Sequence, residues 1–202
     1  MNESGQADVL LVDNGSRRAA STLGLRFIAK ALGDRVGRVI HPVSLQHADR
    51  VPASELDGQP AMVLPRFLRK RLESGQRNFI ALPLFFGPSR ALSGFIPEQV
   101  TALTAEFGAI RLHQAEVLCP LPRGEELLAD IVADNIAAFG PADRVVVVDH
   151  GSPIPEVTAV RSWLAQASDG LIALSGGRQG DVGHALVAGR REQAAEQLDF
   201  WM

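Results

Sequence analysis

Two stretches constrain the fold of this chain more than any other feature. "VLLVDNGS", Val9–Ser16, and "VVVVDHGS", Val145–Ser152, superimpose without a gap at an offset of 136 residues. Each is a run of four aliphatic residues ended by Asp-X-Gly-Ser. A short aliphatic run bounded by turn residues reads as a buried strand. Both runs lead into stretches with helical spacing, where Thr22/Thr158, Ala29/Ala165 and Ala31/Ala167 also match. A supersecondary unit used twice explains this self-similarity. The second copy has little chain after it, too little to repeat everything between Ser16 and Gly140. It is expected to be a fragment or a remodelled half. The expected division is therefore a first α/β half over 1–140 and a partial second half over 141–202.

The rest of the sequence keeps the same alternation. Strands are predicted at Val9–Val12, Val36–Leu45, Asn78–Phe86, Ile110–Leu118, Val145–Asp149 and Leu171–Leu174. Helices are predicted at Arg17–Leu32 with Gly33 as the stop, at Pro65–Glu73 and at Ile96–Phe107 closed by Gly108. Further helices are expected at Glu125–Phe139, Val157–Ala167 and His184–Leu198. The helix at Glu125–Phe139 places Leu127, Leu128, Ile131, Val132 and Ile136 on one side. "HADRVPASELDGQP" and "GPSRALSGF" read as loops, the former with room for one helical turn. Strands alternating with helices imply βαβ units and a doubly wound parallel sheet. In such a sheet ligands bind beyond the carboxyl ends of the strands, so the residues after each strand are the ones to examine.

Composition removes some classes of function. The chain has 46% apolar residues, enough for a core, and a formal net charge of −3, which does not suit a general nucleic-acid binder. Its single cysteine, Cys119, allows no disulfide framework and fits a reducing cytoplasm. The polar start "MNESGQAD" lacks the apolar core of a signal peptide, and the apolar runs are too short to cross a bilayer.

The Asp-X-Gly-Ser turn has two readings. Gly lets the backbone approach a ligand, Ser and free N–H groups at a helix start suit an anion, and a histidine there can bind metal or accept a proton. Alternatively, the motif only turns the chain and caps the helix through Ser.

Three motifs in order carry a resemblance. "VLLVDNGSRR" resembles the opening strand and "HGSR" turn of the sirohydrochlorin chelatases, the CbiX-type, ATP-independent class II chelatases. "FIALPLFFGPSRALSGFIPEQV", Phe79–Val100, is similar to the second signature of that family, which ends in "IPE". "VVVVDHGSP" resembles the start of the second half in two-repeat members. The likeness spans residues 8–165 and fades after Ser168. It implies a chelatase-like α/β fold, here with a truncated second repeat. It also implies insertion of Co²⁺ or Fe²⁺, as a substrate, into sirohydrochlorin or a related acidic tetrapyrrole without a nucleotide, in cobalamin or siroheme biosynthesis. In such a reaction imidazoles bind the metal and take up pyrrole protons, while basic and polar groups hold peripheral carboxylates.

The sequence departs from that pattern at the positions that handle metal. The first-turn histidine is replaced by Asn14, and the second-signature histidine aligns near Ala91. The acidic residue after the second strand falls near Leu45–Gln46. Asn14 keeps only a hard carbonyl ligand and is no base at neutral pH. The candidate metal and proton-handling residues are therefore His150, which keeps the family turn in the second copy, His47, which follows a strand end, and Asn14. Candidate substrate contacts are Ser16, Arg17, Phe86, Ser89, Arg90 and Ser152, with Arg18 beside them. Of the adjacent pair Phe85 and Phe86, one is expected in the core.

His41 and His113 lie in strand-like runs and read as structural, Cys119 as a lone buried thiol, and His184 as without a role. "GGRQGDVG" lacks the Lys-Ser/Thr ending of a phosphate loop and reads as a connecting loop. Two alternatives to the enzyme stay open on these residues. One is a non-catalytic binder of a tetrapyrrole, a metal or an acidic metabolite on the same fold. The other is a subunit completed by another chain, with self-association left open.

Overall fold

The computed structural model describes residues 6–120, 123–138, 145–148 and 171–174, with Ala159, residues 188–190 and Glu192. The helix expected at 157–167, the glycine-rich loop, the terminal helix and the 140/141 division fall outside the described residues. So do His150, Ser152 and His184. The chain divides into two compact units, Met1–Val117 and Leu118–Met202.

The first unit is built on four parallel strands, β1 (Asp8–Asp13), β2 (Ile40–Ser44), β3 (Asn78–Pro83) and β4 (Arg111–Gln114), in the order β2-β1-β3-β4. Three helices connect them: α1 (Ala19–Val36), α2 (Leu64–Glu73) and α3 (Ile96–Phe107). The pleat sends alternate side chains of β1 to opposite faces. Val9 and Leu11 join Ile40 of β2 against Leu25 and Ala29 of α1. Leu10 and Val12 join Val43 and Phe79 against Leu64, Phe67, Leu68 and Leu72 of α2, and Ile96 and Leu103 of α3. Both faces of the sheet are covered, which is why β1 is aliphatic at four consecutive positions. The expected α/β architecture, a parallel sheet flanked by helices, is the one observed.

Several boundaries shift for identifiable reasons. Helix α1 does not stop at Gly33. It runs to Val36 and ends at Gly37, whose left-handed conformation closes it with an N–H to the carbonyl of Gly33. Gly33 stays helical because the returning chain passes against it: a Cβ there would lie 2.8 Å from the Arg38 carbonyl oxygen. Strand β2 accommodates Pro42 because it is an edge strand on that side of the sheet. Leu45 N donates to Asp13 O on the β1 side, and Ser44 N donates outward to Met62 O. Pro42 shares the outward register of Ser44, where a missing N–H breaks no ladder bond with β1. The loop expected over "GPSRALSGF" is helical at its end. Residues Ala91–Phe95 form a π-helical turn continuous with α3, and Ser89 caps it with its hydroxyl accepting from Ala91 N at 3.2 Å. The segment after β2 holds two short 3₁₀ turns, Ala48–Arg50 and Ala53–Glu55, rather than one helical turn.

Under the amino ends of the strands, Asp8 of β1 accepts two hydrogen bonds from Arg71 of α2, at 2.5 and 2.9 Å. In the second unit, α4 (Glu126–Ala137) buries Leu128 but leaves Leu127 and Ile131 exposed. The apolar side predicted for this helix is therefore not all covered among the described residues. Strands β5 (Val145–Val148) and β6 (Leu171–Leu174) pair in parallel. No helix among the described residues is long and apolar enough to cross a membrane.

Candidate functional site

The sheet order puts β1 between β2 and β3. The chain leaves β1 toward β2 through α1, then crosses back through α2 to β3 on the other side. The carboxyl end of β1 is therefore a topological switch point, the place where sheets of this type form a crevice. The turn Asp13–Ser16 stands there, flanked by the segment after β2 and the segment after β3. Leu84 N donates to Val12 O at 2.7 Å, so the exit of β3 is fastened beside the same turn.

The structure brings Asn14 and His47 to one corner. The pairing of β1 with β2 runs past the strand ends, with Gln46 N donating to Asn14 O at 3.2 Å. Gly15 makes this closure possible. Its φ is +83°, and a Cβ on it would sit 1.8 Å from the Gln46 carbonyl oxygen. No other residue type fits there, so the backbone of the first turn rests directly on that of the second. The same Gln46 oxygen accepts from Ala48 N at 2.8 Å, which bends the chain tightly around His47. His47 adopts φ 65°, ψ −27°. A left-handed conformation is uncommon for a residue with a side chain. It turns His47 outward: the residue is exposed, as is Asn14.

One residue missed in the sequence belongs to this corner. Asp13 ends β1, and its register partner is Ser44 of β2, on the face covered by α1. It is only partly exposed, and its Oδ1 is buried with no hydrogen-bond partner. Burial pushes its carboxyl above the usual carboxylate range, against the pull of the Ser44 hydroxyl, the Gly15 N–H and the Ser21 hydroxyl. A signal was present: an Asp closes the aliphatic run in both copies, a position where a strand facing a helix would place an apolar residue.

The remaining candidates divide by role. Ser16 accepts from Arg18 N at 3.1 Å and Ser89 from Ala91 N, so both hydroxyls hold the chain at helix starts. Each keeps its own O–H to donate. Arg17, Arg18 and Arg90 are exposed and make no ion pair among the described residues. Their charge stands beyond the ends of β1 and β3. Of the two phenylalanines, Phe85 packs on the core beside α3, while Phe86 is 56% exposed. Ala91 packs against the core from the first position of the π turn. Its methyl can neither bind a metal nor take a proton. Among the described residues no group of three His, Cys, Asp or Glu side chains stands together to hold a metal ion.

Two other histidines are placed away from this corner. His41 packs its ring on Phe67, with centroids 5.0 Å apart, and burial holds it below the ordinary imidazole range. His113 lies exposed on β4 rather than in the interior. Cys119 is fully buried, and burial pushes its thiol up.

Comparison with known proteins supports this fold. No family model matches the chain. Among solved structures, SirB of Bacillus subtilis with Fe³⁺ superimposes with a TM-score of 0.64 at 15% identity, covering 84% of this chain and 65% of that one. A cobalamin (vitamin B12) biosynthesis CbiX protein of Marinobacter aquaeolei aligns over 66% of this chain at 20% identity, with a TM-score of 0.49. The first superposition shows that the chain shares the α/β fold of SirB. Curated sequences show a different, short likeness. DNA polymerase III subunit alpha of Pseudomonas aeruginosa is 43% identical over 47 residues, and that of Vibrio cholerae 42% over 41. These stretches amount to 23% and 20% of this chain, and to 4% of either polymerase subunit.

Proposed function

We propose that this protein handles a divalent metal and an acidic tetrapyrrole at the corner formed by Asn14 and His47. In the reaction implied, Co²⁺ or Fe²⁺ as substrate enters sirohydrochlorin or a related macrocycle without a nucleotide. The observation that supports this reading is the Gly15–Gln46 closure, which fastens the turn that carries Asn14 to the turn that carries His47 at the switch point of the sheet. His47 supplies a borderline nitrogen ligand and a proton acceptor. Asn14 offers a carbonyl oxygen. Asp13, next to Asn14 in the chain, adds a partly buried carboxyl at the end of β1. Arg17 and Arg90, with the hydroxyls of Ser16 and Ser89, suit acetate and propionate arms. Exposed Phe86 offers an aromatic face to a flat ring. His150 is also proposed as a metal ligand and Ser152 as a substrate contact.

A second reading is favoured by Asn14 and Ala91. With amide and methyl where the resembling family carries imidazoles, the corner binds a metal or tetrapyrrole but turns it over slowly. One experiment separates the two. Purified protein is mixed with sirohydrochlorin and Co²⁺, and the absorption spectrum is followed against a protein-free control. Enzymatic insertion gives a rate well above the control that falls in His47→Ala. A spectral shift on adding the tetrapyrrole alone, with insertion no faster than the control, identifies the binder. No shift and no acceleration would remove both readings.

A further inference from the structure

Helix α1 is apolar on both of its sides. The inner side buries Leu25 and Ala29 against the sheet. The outer side carries Ala20, Leu23, Gly24, Phe27, Ile28 and Ala31, all of them exposed. These positions form one stripe at helical spacing. Phe27 is 74% exposed, Ile28 39% and Leu23 36%. The charged side chains of the same stretch lie on its flanks and are engaged there. Arg26 donates to the carbonyls of Leu56, Gln59 and Pro60, and Lys30 pairs with Asp34. A helix that meets water on its outer side carries polar residues there, whereas one that is apolar all round is covered.

Gly24 is an independent sign. A glycine inside a helix lowers its stability and calls for a reason. Gly33 has one, the Arg38 carbonyl that passes against it. A Cβ on Gly24 would meet nothing within 4 Å, so no contact within the fold asks for glycine there. Gly24 is a hole in an exposed apolar surface, one turn from the projecting ring of Phe27.

The stripe is complementary to itself. Ala20, Gly24, Phe27 and Ala31 follow one another at steps of 4, 3 and 4 residues, the spacing of a seam between two helices. That spacing is symmetric about the midpoint between Gly24 and Phe27. A twofold axis there, with the helices antiparallel, seats Phe27 on the partner's Gly24 and Ala31 against the partner's Ala20. It also brings Ile28 beside the partner's Leu23. Each contact then occurs twice, as an isologous interface requires. Charge favours the same direction. Asp34 in the last turn is the one acidic residue of α1, and Arg18 stands just before the first turn. Antiparallel packing carries Asp34 toward the partner's Arg18, and it opposes the two helix dipoles.

We propose that the outer face of α1 docks a second copy of this chain, antiparallel and twofold, with Phe27 seated on the partner's Gly24. One face of an 18-residue helix is smaller than the roughly 800 Å² per partner of a standard interface. The dimer therefore dissociates in roughly the micromolar range.

Sedimentation equilibrium of the full chain from about 1 to 500 µM should show the mass rising from monomer to dimer. Phe27→Lys, at an exposed position, should fold as before by circular dichroism and weaken association at least about tenfold. A cross-link reads the register. Positions 20 and 31 of one helix are about 16 Å apart, too far for a disulfide within a chain. Ala20→Cys combined with Ala31→Cys should give a covalent dimer on mild oxidation, and neither substitution alone should do so; Cys119 is buried. A monomer at every concentration, association unchanged in Phe27→Lys, or a covalent dimer from Ala20→Cys alone would overturn the proposal. A monomer whose Ala31→Cys thiol resists alkylation would assign the face to another part of the same chain and overturn it equally. The mass of the unaltered chain decides even where a variant misfolds.

Discussion

Gly15→Ala tests the central claim about the corner. Two costs add. An alanine at φ +83° sits in a region that disfavours side chains, at about 1–2 kcal/mol. The new Cβ would lie 1.8 Å from the Gln46 carbonyl oxygen and 3.0 Å from Ser44 Cβ. Ordinary carbon–oxygen contacts are near 3.3 Å, so the carbonyl must retreat by roughly 1.5 Å. The atom in the way is backbone, not the end of a flexible side chain. That retreat breaks the Gln46–Asn14 bond and the Ala48–Gln46 bond that turns the chain at His47, at about 1 kcal/mol each. The sum is about 3–4 kcal/mol, a large share of the 5–15 kcal/mol typical of a domain. Urea denaturation followed by circular dichroism measures it. The slope should stay unchanged while the midpoint falls. Co²⁺ affinity should fall with it, since Asn14 and His47 no longer face one ion. A loss under about 1 kcal/mol with unchanged Co²⁺ binding would refute the argument that the two turns are locked by backbone contact.

Asn14→His restores an imidazole at an exposed position. It should change stability by less than about 0.5 kcal/mol and raise Co²⁺ affinity about tenfold or more, read by calorimetry. His47→Gly removes the ligand but relaxes a left-handed residue; thermal melts should show no loss of stability while Co²⁺ binding weakens. The raised pKa of Asp13 means that its ionised form is tolerated less well in the folded state than in the unfolded one. This penalty is absent below the unfolded pKa of about 3.9, grows as pH rises through the folded pKa, and stays constant above it. Compared with Asp13→Asn, the natural chain should therefore gain relative stability as pH falls from 7 to 4; a flat or opposite difference counts against the burial argument. Arg71→Met strips the mostly buried Asp8 of both its hydrogen bonds and should cost about 2 kcal/mol in chemical denaturation.

Much of the fold was legible because its signals are local. Four aliphatics before Asp13 announced a strand covered on both faces. Pro65 near the start of α2 and Gly108 after α3 marked real ends. Failures came where a distant segment decided the outcome. Gly33 looked like a helix stop, yet the return of Arg38 against it makes glycine necessary inside the helix. The π turn at Ala91–Phe95 could not be read from "ALSGF", which has no periodicity of its own and is held by Ser89 and the core. The site was legible only in part for the same reason. Spacing placed Asn14 and His47 after strands, but their adjacency depends on strand order and on the Gly15–Gln46 contact. Asp13 was passed over because its burial depends on Ser44 and Ser21, which no local pattern connects to it.

Pro42 has a consequence for how this protein can associate. A parallel sheet with an open side can recruit a strand from another molecule, the first step of fibre growth. On the β2 side that step is blocked twice: Pro42 has no N–H to offer, and the outward N–H of Ser44 is taken by Met62. The opposite border, β4, spans only Arg111–Gln114 and exposes Arg111, His113 and Gln114. Its charge and brevity discourage the same docking. The four-stranded sheet is thus closed to growth at its proline border and guarded at its basic one. Replacing Pro42 with valine would return an outward N–H to this border and remove one of its two safeguards.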